Sequence, residues 1–269
     1  MDNSKFKGTI PIELTFLKLL KFLYIGNNML SGTIPSGIGE LSSLIECDMN
    51  DNQFSGTIPS GFNNLYRMDL SNNKLKGPLP KIISKNLRVL SVHDNQLSGH
   101  ISLDINVMKT LKVFQIHNNT FSGNPFNTFL NAESLKVFDI STNAFTGTIP
   151  DAIFSKLASL NTFAIGSNCL TGKISDNICD LSSLETLILT SMGSGPSCVD
   201  YLWDNTAFDN IFNGFRSTNY IDGTLPSCLF NMPSLNQLYA GGNRVIGEFP
   251  TTISGNLKKI SLHDNSIHG

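Results

Sequence analysis

Asn143-Ala144-Phe145-Thr146-Gly147-Thr148-Ile149-Pro150 decides the fold of this chain, because the same phrase returns from one end of it to the other. Read as Asn, any, Leu or Phe, any, Gly, any, Ile, Pro, it places its glycine at Gly8, Gly32, Gly56, Gly77, Gly99, Gly123, Gly147, Gly172, Gly223, Gly247 and Gly269. The steps are 24, 24, 21, 22, 24, 24, 25, 51, 24 and 22, so one step alone breaks the period. Self-similarity at such a period marks a stacked-repeat architecture, and no local element needs assigning before it.

Upstream of each Asn, apolar residues recur at fixed slots, as Leu17, Leu20, Leu23 and Ile25 do before Asn28. The last two slots alternate with outward residues, the period of a half-buried strand, so each coil contributes one short strand. After that strand the chain turns inside the stack, where backbone groups have no water to satisfy them. An Asn side chain carries two donors and an acceptor, and a column of them can satisfy the turns internally. Asn28, Asn52, Asn73, Asn95, Asn119, Asn143, Asn168, Asn219, Asn243 and Asn265 hold that slot, with Ser4 in it at the start. Gly four residues later suits a backbone conformation closed to other residues, and no coil buries its own core, so neighbours must stabilise one another.

With Leu30-Ser31-Gly32-Thr33-Ile34-Pro35 in one coil and Phe54-Ser55-Gly56-Thr57-Ile58-Pro59 in the next, the chain resembles the plant-type leucine-rich-repeat family. The resemblance covers essentially everything except residues 191–217. It implies an α/β solenoid, a leucine-rich-repeat superhelix of about ten coils with a parallel β-sheet on the concave face and a short 3-10 or irregular convex side. In that family the Ile-Pro segment adds a second small sheet and a superhelical twist, and the concave strands form the binding face. Departures are mild: Ser102 and Ser175 replace the proline, and the coil at Gly123 reads Asn124-Pro125-Phe126.

A solenoid grows linearly, so residues 1–269 are expected to be one domain. The chain opens inside a repeat and stops on a repeat glycine without a capping segment, which leads us to expect a piece of a longer protein. Charged residues make up 15% and the net charge is −2, which gives no basic patch for nucleic acid. No stretch is long and apolar enough for a membrane span, and Met1-Asp2-Asn3-Ser4-Lys5 has no signal-peptide character. Cys47 occupies a core slot and reads as a small buried hydrophobe. Cys169, Cys179, Cys198 and Cys228 cluster about the broken period; two disulfides among them have three possible pairings and imply an oxidising compartment. Our choice among the three is Cys169 with Cys179 and Cys198 with Cys228. Asn118-Asn119-Thr120 is a single glycosylation sequon on Asn118.

The long step follows the strand Leu187-Ile188-Leu189, where Met192 stands in the Asn slot. Residues 191–217 therefore form an insertion within the array, emerging at the rim of the strand face. Ser197 and Asp200 have capping-box spacing, and Tyr201, Phe208, Ile211, Phe212 and Phe215 fit one helical face. The expected helix packs on its own solenoid, or serves as a lid beside the binding face, resembling a short form of the island insertions of some plant receptors. Trp203, the one tryptophan, lies in it.

Outward strand positions lie two, four and six residues before each Asn. They bring Phe22, Tyr24, Glu46, Asp48, Arg67, Asp69, His93, Gln115, His117, Asp139 and Tyr239 onto one face, which with Trp203 are the candidate ligand-binding residues. Exposed aromatics there are candidate anchors, since Tyr and Trp dominate measured hot spots. His93 and His117 should be neighbours, yet these columns supply no third ligand or orienting partner, so no metal site is expected. Aspartates on an open sheet lack the enclosure that shifts a pKa, so catalysis is not expected either, and no cofactor is implied. The resemblance implies a non-enzymatic module for a protein, peptide or glycan ligand on the concave face. It would belong to a receptor-like protein or kinase, extracellular or at the cell surface, with any kinase domain outside these residues. One alternative is a soluble inhibitor of cell-wall-degrading enzymes, similar to polygalacturonase-inhibiting proteins, whose terminal cysteine pairs are missing here. Another is an ice-binding solenoid using Thr9, Thr33, Thr57, Thr148 and Thr224, a column interrupted by Pro78, His100, Asn124, Lys173 and Glu248.

Overall fold

In a computed structural model of the chain, each coil turns the repeated phrase into two strands joined by the Asn turn; residues 5–80, 84–191, 220–253 and 255–268 are described. Strands of the first kind, from Phe22–Tyr24 to Lys259–Ser261, form a ten-stranded sheet. Strands of the second kind, from Lys7–Gly8 to Ser266–His268, form an eleven-stranded one. All pairs are parallel and follow coil order, so the expected leucine-rich-repeat solenoid, including its second sheet, is what the chain forms. The remaining side carries single turns of 3-10 helix, such as Ser36–Ile38 and Asp176–Asp180, and, among the described residues, two short α-helices, Ile105–Thr110 and Ala152–Lys156. Pro35 and Pro226 stand immediately before two of these turns with extended backbone, fixing where the second strand ends.

Inward positions fill the space between the sheets. Phe114 pairs in register with Leu90 and Phe138, and Phe138 with Phe163. These rings, with Phe121, Phe129 and Phe145, are fully buried. Phe114 and Phe129 each sit 4.8 Å, centre to centre, from a neighbouring ring, close enough for aromatic packing beyond simple burial. Cys47 is a fully buried free thiol, and burial pushes its pKa up to about 12, so it packs as a hydrophobe. Coils at the edges have one neighbour instead of two, and there apolar residues such as Leu19 and Phe16 stay exposed.

The asparagine column works as its donor inventory suggests. Asn143 is fully buried; its Nδ2 donates to Ile140 O and Ser141 O in its own coil and to Ile116 O in the preceding one, each at 3.1 Å. Its Oδ1 accepts the Phe121 N–H of that preceding coil at 3.0 Å. Asn52, Asn73, Asn95 and Asn119 repeat the pattern, each tying its coil to the one before. Gly147 shows why the phrase needs glycine: its φ is +96°, and an added Cβ would lie 2.6 Å from Asn124 Nδ2 of the preceding coil.

Across the long step neither sheet is interrupted. Thr186–Ile188 pairs directly with Gln237–Tyr239, and Cys169–Lys173 with Tyr220–Gly223. The expected insertion helix, Trp203 and Cys198 lie outside the described residues. Both chosen pairings, Cys169 with Cys179 and Cys198 with Cys228, are wrong: Cys179 is bonded to Cys228, with Cα atoms 6.0 Å apart. The reason is stacking. Cys179 is in the 3-10 turn Asp176–Asp180, Cys228 is in Ser227–Phe230, and these turns belong to coils adjacent in space. Cys169 sits in a strand of the eleven-stranded sheet and is disulfide-bonded as well. The oxidised cysteines fit an oxidising compartment.

Candidate functional site

The outward face of the ten-stranded sheet collects the candidate residues in three columns. Register places Phe22, Glu46 and Arg67 in one, and Tyr24, Asp48 and Asp69 in the next. Ser91, Gln115 and Asp139 continue the second column. At one end Phe22 and Tyr24 are mostly exposed and stack with ring centres 6.1 Å apart. Tyr24 Oη donates to Glu46 Oε2 at 2.6 Å, and that carboxylate raises the tyrosine pKa.

The neighbouring acids are less available than expected. Arg67 donates to Asp69 Oδ2 at 2.8 Å and lies 3.7 Å from Asp48. The Ser71 hydroxyl and N–H both donate to Asp69 Oδ1, so Asp69 points outward yet is only 7% exposed. Its role is to clamp its own turn. Asp48 and Asp139 likewise accept the N–H two residues on, from Asn50 and Ser141. The expectation that an open sheet leaves carboxylate pKa values alone also fails. Burial raises that of Asp48 against the Asn50 N–H and Arg67, whereas His117 and the Ser141 N–H overcome burial and lower that of Asp139.

In the middle of the face the structure assembles a group that the column reading does not contain. His93 and His117 stack with ring centres 4.2 Å apart and planes 9° from parallel. Asp94 Oδ2 lies 2.7 Å from His93 Nδ1 and 3.6 Å from His117 Nε2. Asp139 Oδ2 lies 3.2 Å from the buried His117 Nδ1, within ion-pair reach but off the direction of a good hydrogen bond. Burial disfavours charge on His117, but Asp139 and Asp94 outweigh it and raise its pKa. Asp94 is held below the usual carboxylate range against its own burial by Asn118 and the two histidines. Contrary to the expectation from the columns, Asp94 and Asp139 stand beside the two histidines as a third potential ligand and an orienting partner.

Asp94 was missed because it lies one residue before the Asn, a slot outside the alternating columns. That slot turns left-handed in coil after coil, with φ of 56° at Asn27, 50° at Asp51, 54° at Asn72, Asp94 and Asn118, and 52° at Asp264. Asn and Asp tolerate this conformation, and it swings their side chains onto the strand face. Runs of Asn and Asp in that slot were the available signal. Gln115 and Tyr239 lie further along the second column, half-buried, and Tyr239 Oη donates to Gln237. Asn118, the sequon residue, is exposed and donates to Asp94 Oδ1. Among the described residues no helix is long and apolar enough to cross a membrane.

The Leucine Rich Repeat family model matches residues 19–41, 43–65, 64–85 and 134–155. No curated protein matches the sequence. The ectodomain of the plant membrane receptor kinase GASSHO1/SCHENGEN3 from Arabidopsis thaliana, solved with Casparian strip integrity factor 2, is 25% identical with a TM-score of 0.79. The match covers 98% of this chain and 29% of that one. The plant peptide hormone receptor RGFR1, solved with RGF2, is 26% identical at a TM-score of 0.71, covering 97% and 42%. A plant ice-binding protein, 22% identical with a TM-score of 0.70 over 92% and 73%, shares the fold. The chain thus spans less than half the length of the two receptor ectodomains. The chain carries leucine-rich repeats and is similar in fold, over nearly its whole length, to the ectodomains of plant receptor kinases.

Proposed function

We propose that this chain is the recognition part of a receptor-like protein at the cell surface, binding a peptide or protein along the outer face of the ten-stranded sheet. The observation that carries the reading is the face itself. Its columns are in strict register but chemically varied, running from Phe22 and Tyr24 through Glu46 and Arg67 to His93, Gln115, His117 and Tyr239. A surface with a different side chain at each step reads an extended partner position by position, whereas a uniform array would present one repeated chemistry. The receptors named above, solved with their partners, support the same class of ligand. The disulfide supports an extracellular setting. Asn118 would carry a glycan beside this face, and residues 1–269 would act as one domain with 191–217 as an insertion at its rim.

The test is selection of a random peptide display library on the purified chain, followed by affinity measurements on the enriched peptides. Tyr24→Ala and Arg67→Glu should each weaken binding by about tenfold or more, as hot-spot residues do. Lys156→Glu, on a helix outside the sheet, should leave it unchanged. Peptides that keep their affinity for both face variants would refute this placement.

A further inference from the structure

We propose that His93, Asp94 and His117 form a binding site for a divalent transition ion of the Zn²⁺ class, on the face of the sheet and independent of the peptide reading. One ligand atom from each residue can be chosen so that all three lie within 4.8 Å of one another. The common point is Asp94 Oδ2, which His93 Nδ1 and His117 Nε2 approach to 2.7 Å and 3.6 Å. Ligands at about 2.0–2.1 Å from a tetrahedral Zn²⁺ stand roughly 3.3 Å apart, so the two observed separations straddle what an ion requires. The ion takes the place of the proton shared by His93 and Asp94, and the stacked rings tilt about their side-chain torsions to converge on it.

Two imidazoles and one carboxylate select the ion class. Imidazole nitrogen suits Zn²⁺, Cu²⁺ and Ni²⁺, whereas Ca²⁺ and Mg²⁺ take oxygen ligands. Both ligands nearest the centre are also held from behind. Asp139 Oδ2 lies 3.2 Å from His117 Nδ1, an ion-pair contact that favours the proton on that nitrogen and Nε2 as the donor to metal. Asn118 Nδ2 donates to Asp94 Oδ1, which leaves Oδ2 for the ion. The three residues are half-buried, with side chains 20%, 34% and 28% exposed, so the fourth position opens outward to water or to a carboxylate or imidazole of a bound partner.

The protein contains its own control. His263 and Asp264 occupy the same two slots in a later coil, with Nδ1 and Oδ2 2.9 Å apart, but among the described residues no strand follows that coil to bring a second histidine, as the strand after His93 brings His117. That pair should not hold an ion.

The experiment is calorimetric titration of the folded chain with ZnCl2, with far-UV circular dichroism confirming that each variant is folded. Wild type should bind one Zn²⁺ saturably. His93→Ala, His117→Ala and Asp94→Asn should each abolish that binding, and His263→Ala should leave it intact. Asp139→Asn, which alters a positioning residue, should weaken affinity about 10- to 100-fold with the stoichiometry unchanged, and Asp139→Glu should restore part of the loss. Absence of saturable binding to wild type would overturn the proposal. So would binding that survives His117→Ala and Asp94→Asn, or binding that is lost with His263→Ala.

Discussion

Replacing Asn143 by alanine tests the internal logic of the stack, because its cost can be worked bond by bond. The side chain makes four hydrogen bonds, but their loss is not equally serious. Ile116 O keeps the Asn119 amide as a donor, Ile140 O keeps that of Asn168, and Ser141 O keeps the Asn118 N–H. Overlap between successive asparagines thus protects the carbonyls. Phe121 N–H loses its Asn143 acceptor inside the stack, at a cost of about 1–3 kcal/mol for a buried unsatisfied donor. The amide donors contributed roughly 1 kcal/mol each beyond that, which brings the expected loss to about 3–5 kcal/mol. Asn143→Asp keeps the acceptor for Phe121 but sets a carboxylate against three carbonyl oxygens, and should cost at least as much at neutral pH. The assay is chemical denaturation together with amide hydrogen exchange, since a solenoid need not unfold in a single step. Exchange at Phe121 should lose protection in the alanine variant and regain part of it in the aspartate variant. A loss below about 1 kcal/mol with Phe121 still protected would refute the accounting.

Two further perturbations have definite expectations. Cys179→Ser opens a loop closed over a sequence separation of 49 and should cost about 4 kcal/mol on the chain-entropy model, read as a lower denaturation midpoint. An unchanged midpoint would mean that stacking alone holds those coils. The raised pKa of His117 means that its pairing stabilises the fold fully below an unfolded value of about 6.5 and ceases to do so as pH rises through the higher folded value. Asp139 and Asp94, lowered, add stability above an unfolded value of about 3.9 and lose it as acid protonates them through their lower folded values. These are one set of contacts seen from both partners. Hence the stability gap between wild type and His117→Ala should be widest near about pH 5 and narrow towards about pH 8. A gap that is constant over that range would remove the ion pairs from the explanation.

Most of the fold was legible because its determinants are periodic. Asn, Gly and the alternating apolar slots repeat at fixed distance, so one coil predicts the next, and the buried phenylalanines fell where their slots placed them. What the sequence concealed depends on relations between coils. Cys179 and Cys228 follow the Ile-Pro slot by different counts, four residues after Ser175 and two after Pro226, so no column aligned them although their turns stack. Asp94 lay hidden because strand alternation says nothing about a left-handed residue beyond the strand. Asp69 was correctly placed on the face, but its burial arises from Arg67 and Ser71 folding over it, which is a matter of side-chain geometry.

The direct pairing of Thr186–Ile188 with Gln237–Tyr239 has an evolutionary side. Both sheets close over the long step without a change of register, and the Cys179–Cys228 bond clasps the coils on either side of it. Chain length at that seam is therefore uncoupled from the geometry of the scaffold. Insertions and deletions can accumulate there while the strands keep their alignment. For an engineer the same seam is a graft point of fixed span, where a foreign loop can be displayed without redesigning the coils beneath it.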